Sequence, residues 1–219
     1  QLNDFNIDIS KWGSLFILRL HHNNITNYDV NALWTHKSVY AIEIYNNIGF
    51  KAPSSDVKIN MPSLLGLNLM NNEMPLNINF NTENFPNLKF LILNGNNLLK
   101  LPDKSLQETM VFLAMNRCQL KPALPQYISS FKRLRYLDAR DNNITSVDHA
   151  LKELLKINLV ESYFAGNPVC EIDQTLDCKP LCSQDCWSRH ASKDGYCSEE
   201  CNTKKCEYDG GDCSRGGEL

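Results

Sequence analysis

The stretch LKFLILNGNNL, residues 88–98, sets the reading of most of this chain. Leu88, Leu91, Leu93 and Leu98 are apolar at intervals that fit neither a helix stripe nor a long alternating strand, and Asn96 sits where the apolar run ends. The pattern becomes legible only when the chain is aligned on itself. The same frame, LxxLxLxxNxL, returns as LFILRLHHNNI from Leu15, VYAIEIYNNIG from Val39 and LLGLNLMNNEM from Leu64. It continues as MVFLAMNRCQL from Met110, LRYLDARDNNI from Leu134 and, degraded, LVESYFAGNPV from Leu159. The period is 22 to 25 residues, which marks a stacked array of supersecondary units.

Physics assigns a role to each frame position. The apolar positions point inward from a short strand and stack on their equivalents in the next coil, since no single unit can bury them alone. The recurring Asn (Asn23, Asn47, Asn72, Asn96, Asn142, Asn167) stands where the strand turns away, and its amide can serve backbone groups that a tight bend leaves unpaired. Cys118 takes that place once and reads as a buried free thiol.

On these motifs, residues 1–170 resemble the leucine-rich repeat family. The resemblance implies an α/β-type curved solenoid of about seven repeats plus an irregular first coil. It puts a parallel β-sheet on the concave face, loops or short helical turns on the convex side, and the ligand on the concave face. The segment LKPALPQYISSFKR, residues 120–133, has the Leu-Pro and amphipathic spacing expected of the convex side. Leu2, Phe5, Ile7, Ile9 and Trp12 read as the irregular first coil. At the far end Asn167-Pro168 stops the last strand, and Cys170 with Cys178 can clip a cap over residues 171–181, as in extracellular members of the family.

Six of the nine cysteines fall within the 32 residues 182–213, with spacing Cx3Cx10Cx3Cx4Cx6C. So short a segment, with scarcely any aliphatic content, needs covalent or ionic staples in place of a core. It ends in CEYDGGDC, residues 206–213, where the glycine pair lets the chain fold Asp209 and Asp212 toward one point. Seven acidic against four basic residues in this span would repel without a cation, and hard carboxylate oxygens suit calcium. Thiolates would suit zinc, but no tetrahedral CxxC pair is present, and a plain disulfide knot with solvated acids is the other alternative. Spacing leaves fifteen pairings open.

DGYC before the third cysteine, CN at the fourth and DGGDC at the sixth make residues 182–213 similar to the Notch-type repeat, the LNR module. That resemblance implies the disulfides Cys182–Cys206, Cys186–Cys201 and Cys197–Cys213. It also implies one bound calcium on the side chains of Asp194, Asp209 and Asp212. The ten residues from Trp187 to Tyr196 are more than the commonest family form has, which leaves the backbone ligands unassigned. Residues 214–219 are a tail.

Function follows from what is present and what is not. A formal charge of −3 and a pI near 6.0 show no basic excess for nucleic acid or anionic membrane. No apolar run reaches the roughly 18 residues of a membrane span. The chain begins at Gln1 with no charged-then-apolar leader, which reads as a mature or excised segment. Asn24-Ile25-Thr26 and Asn143-Ile144-Thr145 are glycosylation acceptors, and with the cysteine crowding they favour a secreted or cell-surface setting. His21 and His22 lack an acidic or cysteine companion at metal spacing, and no GxSxG, HExxH or phosphate-cradling loop occurs.

The expectation is a non-catalytic extracellular recognition protein that binds a protein or glycan. Its patch would be Phe90, Ile92, Phe112 and Tyr136 with Met70, and its polar rim would be Arg19, Glu43, Asp138 and Arg140. The alternatives are a structural subunit packed against neighbouring copies, and the non-catalytic part of a larger secreted enzyme or receptor.

Overall fold

The computed structural model describes residues 4–5, 9–25, 27–28, 30–47, 50, 52–53, 56–72, 75–158, 161–179, 182–183, 186, 197 and 201–213. The chain divides into two compact units, Gln1–Cys178 and Lys179–Leu219.

The first unit is built on a seven-stranded parallel sheet. Its strands are β2 (Ile17–Arg19), β4 (Ala41–Glu43), β5 (Gly66–Asn68), β7 (Phe90–Ile92), β9 (Phe112–Ala114), β10 (Tyr136–Asp138) and β11 (Glu161–Tyr163), paired in that order. Each covers the third to fifth residues of one sequence copy. The register never slips: Ile17, Ala41, Gly66, Phe90, Phe112, Tyr136 and Glu161 form one row across the sheet. A slip of one residue would throw the apolar set to the other face, and burial forbids that.

Two-residue strands accompany the main sheet: β1 (Asp4–Phe5) pairs with β3 (Asn27–Tyr28), and β6 (Pro75–Leu76) with β8 (Asn97–Leu98). Four of the six returns between strands of the main sheet run through helical segments: α1 (Val30–Trp34), 3-10 turns at Lys104–Glu108 and Gln126–Ser130, and α2 (His149–Ile157). Asp103 starts the first of these turns by accepting from the Ser105 N–H, and Asp148 caps α2 by accepting from the Leu151 N–H.

One face of the sheet carries the core. Leu18, Ile42, Leu67, Leu91, Leu113 and Leu137 are buried in one row, and Leu20, Ile44, Leu69, Leu93, Met115, Ala139 and Phe164 in the next. Trp34, Phe50, Phe85 and Phe131, from the return segments, close over them. At about 1.5–3 kcal/mol per fully buried large apolar side chain, this stack is the main source of the unit's stability.

The recurring asparagines join coil to coil. Asn72 donates from Nδ2 to the carbonyls of Ile44 and Leu69, and its own N–H donates to Asn96 Oδ1 at 3.2 Å. Asn142 and Asn167 repeat the arrangement further along. Cys118 keeps the donor half alone, with Sγ at 3.2 Å from the Leu93 carbonyl, and burial pushes its thiol up to about 12. Just before each ladder position the backbone is left-handed, at His22, Asn46, Asn71, Gly95, Arg117, Asp141 and Gly166.

Candidate functional site

The second unit is held by sulfur. Its disulfides are Cys182–Cys206, Cys186–Cys201 and Cys197–Cys213, and Cys170–Cys178 closes the end of the first unit. Cys186, Cys201 and Cys206, with Cys182 against them, make up the unit's buried cluster among the described residues. The sulfurs of Cys182, Cys186 and Cys206 lie within 4.8 Å of one another, close enough for a metal if they were thiolates. In the oxidised chain they are spent in disulfides.

The segment CEYDGGDC folds as a left-handed turn. From Glu207 through Gly211 every φ is positive (54°, 56°, 58°, 62° and 103°). Such a run costs about 1–2 kcal/mol for each non-glycine residue, and the contacts at its ends hold it. Tyr208 N–H donates to the Thr203 carbonyl at 2.9 Å, Cys213 N–H to the Tyr208 carbonyl at 3.1 Å, and Asp212 N–H to the Asp209 carbonyl at 3.1 Å. Cys206 and Cys213 anchor the two sides through their disulfides. The turn carries Asp209 inside, at 1% exposure, and leaves Asp212 half-buried. Asp194 and the loop from Trp187 to Tyr196 lie outside the described residues. The donor set fits a hard cation: Asp209 and Asp212 bring carboxylate oxygens, and every cysteine of the unit is bonded to another.

The face of the sheet opposite the core carries an aromatic row. Phe90 is 46% exposed, Phe112 and Ile92 are half-buried, and the rings run Phe90 to Phe112 at 6.5 Å and Phe112 to Tyr136 at 4.0 Å, the latter pair parallel within 3°. Met70 and Gly66 lie half-buried on the same face.

Two expectations are corrected here. Tyr136 is only 8% exposed, with Phe112 on one side and Tyr163 at 5.5 Å on the other, and burial drives its hydroxyl pKa up. Asp138 and Arg140 are no exposed rim either, at 0% and 5% exposure. Asp138 accepts from Arg140 Nε at 2.9 Å and Nη2 at 2.8 Å, and from Asn116 Nδ2 at 2.8 Å. Burial works against the Arg140 charge, but the Asp138 bonds and charge outweigh it and hold its pKa above the usual value. Adjacent strands lie about 4.8 Å apart, so flat rings and forked side chains on successive strands cover one another. Sequence spacing gives the direction in which a side chain leaves the strand; its neighbours decide whether it stays wet.

The polar pair Arg19 and Glu43 does lie toward solvent, at 3.2 Å. His21 stacks on Tyr45 at 4.5 Å, and His22 is exposed. The sequons present Asn24 and Asn143 as exposed residues next to buried Ile25 and Ile144.

One feature carries no sequence motif. Between α2 and the loop closed by Cys170–Cys178 is a cavity of about 590 Å³ lined by His149, Lys152, Lys156, Ser162, Thr175 and Asp177, among others. Beside it Lys152 pairs with Asp173.

Comparison with known families places a match to the model described as "Notch: LNR domain" on residues 176–214. Comparison with curated proteins gives no match. A segment that matches this family, four disulfides and their preference for oxidising compartments point to an extracellular protein. Among the described residues no helix is long and apolar enough to cross a membrane.

Proposed function

We propose that this chain is a non-catalytic recognition protein of the extracellular space. In this reading residues 1–170 are a leucine-rich repeat solenoid, 171–181 its cysteine-clipped cap, and 182–213 a calcium-stabilised LNR module. The ligand, a protein or glycan, docks on the outer face of the sheet around Phe90, Ile92, Phe112 and Met70. Tyr136 acts from the side, stacked on Phe112 as rigid support for that patch, with Arg140 over the Tyr163 ring beyond it. The observation that carries the reading is the aromatic row on a face that the core does not use, with Phe90 nearly half open to solvent. Such rings are costly to leave wet and typify the centre of an interface.

Calcium would be held by Asp209 and Asp212, with Asp194 completing the side-chain set. It would supply positive charge where the left-handed turn gathers carboxylates.

The test is Phe90→Ala with Phe112→Ala, assayed against arrays of extracellular proteins and glycans. A hot-spot ring costs about 2 kcal/mol when truncated, so loss of both is expected to weaken a true partner by about a hundredfold or more, with secretion and melting nearly unchanged. A partner set that binds the variant as well as the parent overturns the assignment of the face.

A second reading, a structural subunit packed against neighbouring copies, draws on the other end of the sheet. Trp12, Phe16, Ile17 and Tyr40 are exposed around β2, which pairs with β4 on one side only among the described strands. Sedimentation that is concentration-dependent in the parent and monomeric in Phe16→Ser/Ile17→Ser would favour it.

A further inference from the structure

We propose that the cavity between α2 and the loop closed by Cys170–Cys178 is a second ligand site, and that it takes a neutral, hydroxyl-rich sugar residue. The site lies on the core side of the sheet, so it does not rest on the reading of the outer face. The chain breaks its own frame there. Six strands put an apolar residue at their middle position, Leu18, Ile42, Leu67, Leu91, Leu113 and Leu137, and all six are buried. The seventh strand has Ser162 in that row, in register with Leu137, half-buried and lining the cavity. Serine here gives up the burial that the other six copies gain. A sequence that departs from its own rule at one place marks a need other than packing.

The second wall is α2. His149, Lys152, Glu153 and Lys156 fall at i, i+3, i+4 and i+7, along one side of the helix, and all four line the cavity. The third wall is the loop, through Thr175 and Asp177, while buried Leu155 and Leu176 supply the apolar part of the lining. The loop is already fixed against the helix. Lys152 pairs with Asp173, whose Oδ1 accepts from the hydroxyl and the N–H of Thr175 at 2.6 and 3.0 Å, and Cys170–Cys178 closes the loop. The walls therefore stand before a ligand arrives, which spares binding the cost of ordering them.

Charge and hydrogen bonding choose the ligand class. Lys152 and Lys156 face Glu153 and Asp177, so the lining holds no excess of either sign for a simple anion or cation. What it offers is alternation. The lysines donate, the carboxylates accept, Ser162 does both, and Thr175, whose hydroxyl proton goes to Asp173, keeps its lone pairs for accepting. Each sugar hydroxyl likewise donates and accepts, and the C–H face of the ring suits Leu155 and Leu176. The volume, about 590 Å³, falls within the range of about 300–1,000 Å³ found for small-ligand sites. The alternative is a polar end to a stacked array that serves solubility alone.

The test uses the intact, oxidised chain labelled with nitrogen-15 and followed by amide NMR shifts. The probes are the methyl glycosides of glucose, galactose, mannose and N-acetylglucosamine, and lactose, each raised to about 50 mM, well above the roughly millimolar dissociation constant expected of one sugar. At least one is expected to give saturable shifts confined to α2, residues 161–163 and residues 173–177. Sodium sulfate and glycine, the anion and zwitterion probes, should bind at least about tenfold more weakly or not at all. Ser162→Leu restores the frame residue and fills the cavity with apolar atoms, so it should weaken the sugar on the order of tenfold or more while leaving the melting temperature unchanged or raised. Lys156→Met changes an exposed residue and serves if Ser162→Leu does not fold; it should weaken the same sugar by about threefold or more. No saturable shift with any of the sugars overturns the proposal and leaves the cavity as the wet end of the core. Sulfate or glycine binding as tightly as the best sugar overturns it too, as does a folded Ser162→Leu or Lys156→Met chain that binds that sugar like the parent.

Discussion

Asn142 serves two coils with one side chain. Its Nδ2 donates to the carbonyls of Met115 and Ala139 at 2.9 and 3.0 Å, and its Oδ1 accepts from the N–H groups of Cys118 and Leu120 at 2.9 and 3.0 Å. Leucine in its place would strand these buried groups, each at about 1–3 kcal/mol, so Asn142→Leu is expected to destabilise the chain by at least about 3 kcal/mol in urea unfolding. A loss under about 1 kcal/mol would mean that water replaces the ladder. Cys118 offers the converse test: Cys118→Asn supplies a stronger donor to the Leu93 carbonyl and adds an acceptor, and should stabilise by about 0.5–1 kcal/mol in the same assay. A destabilisation there would show that the sulfur's packing outweighs its poor hydrogen bonding. The ladder residues were legible in the sequence because the same amide recurs at the same place in every copy but the one with Cys118. The left-handed residue before each was not, because His22 and Arg117 interrupt a run otherwise made of Asn, Asp and Gly, the types that tolerate that conformation.

At the scale of the element, the end of the sheet depends on α2 and the loop behind it. Asp177 accepts from the Phe164 N–H at 2.8 Å beside β11, and Cys170–Cys178 closes the loop. Asp173 ties that loop to α2: Lys152, then the hydroxyl and N–H of Thr175, hold its carboxyl down at about 2. A carboxyl depressed in the folded state stabilises it above the unfolded value, about 3.9, and that contribution disappears as pH falls toward 2. Asp173→Asn should therefore lower the urea midpoint by a constant amount above about pH 5, with the gap to the parent narrowing between about pH 4 and 2. A gap that stays constant down to pH 2 would mean that Asp173 acts through packing and not through charge. Cys170, just after Asn167-Pro168, and Cys178 stood out in the sequence as a pair, whereas Lys152 and Asp173 are ordinary surface residues in sequence and meet only when α2 has packed. The outer face divides in the same way. Strand spacing gives its row of rings, but the burial of Tyr136, Asp138 and Arg140 comes from lateral stacking between strands, which no one repeat encodes.

Across the whole molecule, two solutions to the same problem follow each other along one chain. The first unit has enough apolar residues per coil to bury a continuous core; the second has almost none and relies on disulfides and, as proposed, a cation. The cysteine spacing and DGGDC carried the second unit's character in sequence, since staples must sit where a core would be. The full ligand set was beyond reach because loop carbonyls leave no residue signature. If the second unit needs calcium and the first does not, the two must respond differently to its removal. Extracellular calcium near millimolar would fill a module-type site with a dissociation constant near 10⁻⁴ M, and tenfold excess adds on the order of 1.4 kcal/mol to the folded state. Amide hydrogen exchange on the intact chain, with calcium and with chelator, tests this most directly. The expected result is roughly tenfold faster exchange across residues 201–213 in chelator, with the seven strands from Ile17–Arg19 to Glu161–Tyr163 unchanged. Identical protection of residues 201–213 in both conditions would contradict the account, and leave Asp209 and Asp212 as acids that the disulfides alone keep in place.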